Sequence, residues 1–580
     1  MSNTSSPVFA LSPASTCATP SSFDFSPGVS PAYLAPGSPF TFSDGPSPSP
    51  SPAPSSPMLS PFFQPQDPVT QDVGLLSLSA FDEPKYVGSS SGVSFAKLAF
   101  QDTLSTEFRA VDFGGCDVKP NMRWPALETE PIALPTLEQC VTLSSAYFST
   151  VALQYPFLNR HTFDMCLEAT YRAEKGELYQ LPHGYSLPVA RFHVFMVLSI
   201  GSGVLSAGSG EMDSEGFSAS AMRMINEISI TGSVSGVQSA LLLAMRSLHS
   251  SEALNLWYLN ALIMATCVDL GLQRKPQSQH TQLQPGLGRR IFWSAYTLDR
   301  TLSIALGRPF SLRDESIDVD FPDECDNDEE EMLGANLSDL VAARTAFSTS
   351  ICFFKIVKVL SGIKTTIYRK TQNARWQNDP LEWQMTTLHH LKELREQARL
   401  SNPTATLLTD LVDLKFHESV QLLFRPSPAF SNPSPTALQH SFTSSVESIR
   451  ILSKLNRFGQ LPHSWITAHS LFLSGILMLY AHRNSRDPQA LAAADVLSED
   501  IQTCSILLAE FAGRYQAAAR WRRKFDRFTT DTVVHAAASR MLSPNDVRRV
   551  ATGAGQAEWF EGIPDDASGP DVSMCWGSNW

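Results

Sequence analysis

The stretch from Gly288 to Pro322, GRRIFWSAYTLDRTLSIALGRPFSLRDESIDVDFP, constrains the fold more than any other part of the chain. From Ile291 onward, Ile291, Ala295, Leu298, Leu302 and Ala305 recur at three- and four-residue steps, with Phe292, Tyr296, Ser303 and Leu306 on the adjoining stripe. An apolar surface that wide belongs inside a helical core. The spacing predicts a stop at Gly307, because glycine tolerates the left-handed conformation of a C-terminal cap and Pro309 cannot continue the ladder. Ile317, Val319 and Phe321 then alternate with Ser316, Asp318 and Asp320, which predicts an extended tail burying one side. The helix encloses Asp299 and Arg300 and opens on Arg289 and Arg290, which oppose the helix dipole at that end and so call for carboxylate partners elsewhere. A structural ion pair explains these charges better than catalysis does.

Around this stretch the chain divides in three. Residues 1 to about 84 are dominated by Ser, Pro, Ala and Thr, and the first basic residue of the protein is Lys85. Such a segment cannot bury enough apolar surface to offset its conformational entropy, so 1–130 is expected to be a disordered Ser/Pro-rich region. Residues 131–540 are expected to form one helical domain, and 541–580 an acidic and aromatic tail. The fold class is therefore all-α, a multi-helix bundle with a disordered arm at each end. Phe23-Asp24-Phe25, Phe62-Phe63 and Phe81-Asp82-Glu83, with Trp559, Phe560, Trp576 and Trp580 among acids in the tail, have the composition of activation segments. Plain linkers and a frayed terminus account for them equally well.

The formal net charge of -13 opposes non-specific attraction to a phosphate backbone. The 9 cysteines include no CxxC spacing, so neither a zinc site nor a disulfide framework is indicated, and a reduced compartment fits best. No secretory or mitochondrial leader is evident, and the apolar run from Trp465 to Ala481 is interrupted by His469, Ser470 and Ser474, so no membrane association is expected.

Within the helical part, Pro135 stands at a plausible first helical position for a run that continues to Pro156. Gly201-Ser202-Gly203 inside LPVARFHVFMVLSIGSGVLSA is a near miss to a dinucleotide fingerprint, but the glycines fall at the end of a helix and read as close helix packing or a helix stop. His161 has no second histidine at helical spacing, and His389-His390 point in different directions, so neither reads as a metal ligand. The basic run Arg520 to Arg527 is interleaved with aromatics. It reads as a solvated helix face, with a nuclear import signal or a nucleic-acid patch as the second reading. No HExxH, GxSxG elbow, phosphate-binding GxxxxGKS or paired Cys/His set is expected.

The string RRIFWSAYTLDRTLSIALGRPFSL followed by an acidic extended piece resembles the signature of the fungus-specific transcription factor domain, the middle homology region of fungal zinc-cluster regulators. ALNLWYLNALIMATCVDLGLQRKP resembles that family's preceding helix, AYFSTVALQYPFLNRHTF its entry, and LKFHESVQLLFRPSPAF its helix ending in an Arg-Pro turn. Together these strings span roughly residues 135 to 530 in the family's order. The resemblance implies a non-enzymatic helical regulatory domain in a nuclear transcription regulator of a metabolic or secondary-metabolite gene set, with no catalytic, cofactor or metal residues. Its signature residues here are Arg289, Arg290, Trp293, Asp299, Arg300, Gly307, Arg308 and Pro309. The six cysteines and basic linker of the family's zinc cluster have no counterpart before this domain, which argues against direct DNA contact.

Implied partners are the transcription machinery or a coactivator, and a DNA-binding partner regulator or a second copy of the chain. Two alternatives follow: a co-regulator lacking its own DNA contact, and a small-molecule-binding helical module with a pocket lined by Trp257, Phe292, Trp293 and Tyr296.

Overall fold

The computed structural model describes residues 75–76, 85–86, 88–100, 129–205, 213–249, 256–275, 285–323, 337–368, 380–401, 406–485 and 494–539. The described chain is all-α. Its strands are two residues long: β1 (Leu75–Leu76) pairs antiparallel with β2 (Lys85–Tyr86). The helices are α1 (Gly92–Phe100), α2 (Leu137–Phe148), α3 (Val151–Gln154), α4 (Arg160–Glu174), α5 (Leu187–Leu205), α6 (Ser214–Met222), α7 (Val234–His249), α8 (Leu256–Asp269) and α9 (Pro285–Leu306). They continue as α10 (Leu337–Ile367), α11 (Pro380–Ser401), α12 (Thr406–Phe424), α13 (Pro435–Arg457), α14 (Trp465–Asn484), α15 (Ala494–Ala512) and α16 (Gln516–Ser539).

Their apolar faces converge on two cores. The first is built from α2 to α10 and the inner sides of α11 and α12; the second from α1 and α13 to α16, with Leu411 and Leu414 of α12. Helix α5 lies at the centre of the first, packed against α2, α4, α6 and α7. It has the length and apolar composition to cross a bilayer, yet its neighbours bury most of it, as they bury the core helix of a water-facing bundle. Gly201 supports that role: a Cβ there would lie 2.0 Å from the carbonyl oxygen of Leu143, so glycine lets α2 approach backbone to backbone. The near-fingerprint is helix packing, as the spacing predicted.

Several boundaries differ from the sequence reading. Thr136, not Pro135, opens α2, through a reciprocal box in which its hydroxyl caps Gln139 and the Gln139 side chain caps Thr136. The run toward Pro156 breaks at Ser149 and Thr150, where the Thr150 hydroxyl donates to the Ala146 carbonyl at 2.6 Å and the chain restarts as α3. Helix α9 starts at Pro285, six residues before Ile291, so Arg289 and Arg290 sit in its second turn, beyond the steepest reach of the helix dipole.

The largest departure concerns the region assigned to disorder. Residues 88–100 are packed: Phe95 and Ala99 enter the second core, and the Ser91 hydroxyl caps α1 by accepting from the Ser94 amide at 3.0 Å. The serine content that suggests disorder is spent here on main-chain contacts across the fold, which composition cannot register. The remainder of 1–87, the segment 101–128, the acidic run after Asp323 and the tail beyond Ser539 lie outside the described residues, apart from β1 and β2.

In α16, Trp521, Phe525 and Phe528 are buried while Arg523 and Arg527 are exposed, the arrangement expected of a solvated basic face.

Candidate functional site

The signature residues of α9 assemble around Arg300, whose side chain is fully buried. Its Nη1 donates to Asp299 Oδ2 at 2.6 Å and its Nη2 donates to Asp314 Oδ1 at 2.6 Å and to the Leu312 carbonyl at 2.7 Å. The guanidinium is sandwiched between the rings of Tyr296 and Phe310, at 3.9 and 4.4 Å from their centroids. Asp299 also accepts from Asn260 Nδ2 at 2.9 Å and from the Ser311 hydroxyl at 2.6 Å, and the Tyr296 hydroxyl donates to Asp314 at 2.9 Å. Burial pushes the Tyr296 phenol above its ordinary value, so it donates as a neutral hydroxyl.

The loop after the helix is held down by the same group of residues. Gly307 takes φ +69°, the left-handed cap expected of it, and Lys364 of α10 donates to the carbonyls of Ser303, at 2.7 Å, and Arg308. The Ser303 hydroxyl donates to the Pro309 carbonyl at 3.2 Å. Burial drives the Lys364 amine down to about 7. Two carboxylates, Asp299 and Asp314, thus answer Arg300, while Lys364 is held by main-chain carbonyls of the same turn-and-loop unit. This is a structural ion cluster, the reading the sequence preferred.

The other signature residues also fix one element to the next. Arg290 donates from Nε to the Pro156 carbonyl at 2.7 Å and from Nη2 to the Leu158 carbonyl at 3.0 Å, and its guanidinium lies over Phe347. Carboxylate partners were expected for it; these two donors go to main-chain carbonyls of the Pro-Phe-Leu turn. Arg289 is half-buried beside it. Trp293 donates from Nε1 to the Asp320 carbonyl at 2.9 Å and stacks on Phe321 with centroids 4.2 Å apart. The extended tail is therefore clamped on α9. It is also bonded to the end of α8, where the Gln273 carbonyl accepts from the amides of Asp318 and Val319. Arg308 is buried with its guanidinium 4.9 Å above the Trp257 ring.

That packing leaves little room for a pocket at Trp257, Phe292, Trp293 and Tyr296. The last three are buried against one another, and none of the four lines either of the two cavities that open nearby. One cavity, about 90 Å³, lies among α3, α7, α9, α12 and α14 and is bordered by Tyr155, His249 and Lys415. The other, about 100 Å³, lies among the 88–92 strap, α9, α10, α12 and α14. Thr301, Lys415, Glu418 and Ile466 border both.

Arg425, read from sequence only as a helix terminator before Pro426, lines the second cavity. It is buried, donates from Nε to the Tyr368 hydroxyl at 3.0 Å and from Nη2 to the Ser90 carbonyl at 2.6 Å. No carboxylate pairs with it among the described residues. Beside it, burial and then the charge of Arg425 push His469 down to about 3, so this imidazole is neutral near pH 7.

The string Gly88-Ser89-Ser90-Ser91-Gly92 satisfies the G-x-S-x-G spacing after all, between β2 and α1. Ser90 is not poised as a nucleophile: its hydroxyl donates to the Ile304 carbonyl at 3.3 Å, and among the described residues no histidine is hydrogen-bonded to it. The string is a strap. Gly88 donates its amide to the Leu306 carbonyl, and its own carbonyl lies so close to Gly307 that a Cβ there would come within 2.3 Å.

Comparison with known proteins agrees with this architecture. The chain is 21% identical to the "Positive regulator of purine utilization" of Emericella nidulans over 85% of its own length and 57% of the relative's. It is 20% identical to the "Pyrimidine pathway regulatory protein 1" of Saccharomyces cerevisiae, over 72% of its length and 54% of that protein's. It is 25% identical to "Transcription factor FBD3" of Gibberella moniliformis over 55% and 40%. The chain thus spans about half the length of these relatives, and no solved structure matches it. Residues 145–396, which hold the Arg300 cluster and both signature helices, match the family described as "Fungal specific transcription factor domain".

Proposed function

We propose that the protein is a nuclear transcriptional regulator whose helical domain is a regulatory scaffold without catalytic function. The match of residues 145–396 to the fungal transcription factor domain carries this reading. The geometry supports a scaffold: the buried charges of α9 are spent on tying the helix to its loop. Relatives named for purine utilization and for the pyrimidine pathway favour control of a metabolic gene set, with a secondary-metabolite set as the narrower form of the same idea. The transcription machinery and a DNA-binding partner regulator are the interactions this role requires.

The test is chromatin immunoprecipitation of the tagged full-length protein in a fungal host, followed by binding of purified protein to the recovered fragments. Discrete promoters bound by the purified protein support a regulator with its own DNA contact. Discrete promoters with no binding in isolation support a recruited co-regulator. Recovery of no promoter at all overturns the transcriptional role.

A further inference from the structure

We propose that the cavity between α9, α10, α12, α14 and the 88–92 strap binds a small organic monoanion, with its carboxylate on Arg425 and its apolar body against Ile304, Val357, Leu360, Leu422 and Leu473. The inference rests on the charges around the cavity and not on the transcriptional reading.

Among the described residues, the other charges that face the cavity are answered locally. Arg300 is held by Asp299 and Asp314. Lys415 pairs with Glu418 at 2.6 Å, and Glu418 also accepts from the Ser470 hydroxyl at 2.5 Å. His469 is neutral. Arg425 alone is left without a carboxylate, its guanidinium lying 5.7 and 5.5 Å from the ring centroids of Phe95 and Tyr368. Its Nε and Nη2 are held by a phenol and a carbonyl, and Nη1 has no acceptor among the described residues. A buried cation facing only neutral acceptors carries a desolvation penalty that an incoming carboxylate relieves, and a guanidinium presents its donors in the fork that a carboxylate matches.

The rest of the wall selects the class of anion. Five aliphatic side chains oppose the guanidinium, so a bare inorganic anion would leave them unfilled and trade full hydration for one contact. The opening, about 100 Å³, exceeds what a single water needs and admits a compact body. Gln421 anchors the floor by donating from Nε2 to the hydroxyls of Ser448 and Ser474, at 2.9 and 3.0 Å, so the site is pre-formed between α12, α13 and α14.

The experiment uses the purified full-length chain with four probes, benzoate, hexanoate and their uncharged amides, and inorganic phosphate as a fifth. Binding to the folded state raises the melting temperature in proportion to occupancy. Benzoate or hexanoate is expected to raise it, and the amides and phosphate to leave it unchanged. Arg425→Gln is expected to weaken carboxylate binding at least tenfold by calorimetry. Ala305→Leu, which fills the cavity without touching Arg425, is expected to abolish the shift while keeping the unliganded transition, and it decides the matter should Arg425→Gln not fold. The proposal is overturned if neither carboxylate shifts the transition, if amide or phosphate matches them, or if the shift survives Ala305→Leu.

Discussion

Arg300, inside α9, and Arg425, just past the end of α12, are both buried guanidiniums, and they differ in what faces them. Arg300 meets two carboxylates, two rings and a carbonyl, a closed set in which almost every donor is used inside the protein. Arg425 meets a phenol, a carbonyl, the more distant rings of Phe95 and Tyr368, no carboxylate, and a cavity. The difference teaches that burial of charge serves two ends in one domain. In the first place it fixes a helix to its loop, and in the second it leaves an electrostatic demand open to something outside the chain.

The strongest way to break this contrast is to open the closed site. Asp299→Ala leaves Arg300 with a lost partner and orphans the Ser311 and Asn260 donors, and unfolding in urea is expected to show a loss of about 3–5 kcal/mol. A loss below about 1 kcal/mol would mean the cluster is solvated in solution and not a closed unit. Next comes the direct pairing: Arg425→Gln is expected to destabilise less than half as much as Arg300→Gln, because it removes a charge whose burial is unanswered. Equal losses in the same urea experiment would erase the distinction between the two sites.

Gly307→Ala acts between them. It forces a side chain into a left-handed backbone and against the Gly88 carbonyl, with an expected loss of about 1–3 kcal/mol. Limited proteolysis should then cut at residues 88–92 faster than in the unaltered chain; unchanged cleavage would show that the strap does not depend on that cap.

Stability also depends on pH through Lys364. The folded-state pKa of Lys364 is about 7, below its unfolded value, so between roughly pH 7 and 10 the unfolded chain binds more protons and stability rises with pH. Below about pH 7 the amine is charged in both states and its full penalty applies. Relative to Lys364→Met, the unaltered protein should therefore gain stability across that window. A parallel pH dependence in the two proteins would place the Lys364 pKa at its ordinary value.

Much of the Arg300 site was legible because it is local. Asp299, Arg300, Gly307 and Pro309 fall within a dozen residues, where helical period and cap chemistry speak directly. What was missed involves distance along the chain. Arg425 and Ser90 are 335 positions apart, and nothing in the sequence around either announces the other. The ring cluster of Phe292, Trp293 and Tyr296 misled in the opposite sense: aromatics at a junction suggested a pocket, but the extended tail returns Phe321 to fill the space. The serine strap was masked by its likeness to the preceding arm, since the apolar residues that enter the core beside it, Phe95 and Ala99, lie beyond it in α1.

Ser90 has its carbonyl on Arg425 and its hydroxyl on the Ile304 carbonyl, while Ser89 reaches the Tyr368 carbonyl at 3.0 Å. These three bonds moor the chain preceding α1 to the domain along a few ångströms of backbone. Any solute that draws the Arg425 Nη2 away from Ser90 competes with a mooring line, so occupancy beside the guanidinium and attachment of the upstream chain are settled by the same donor.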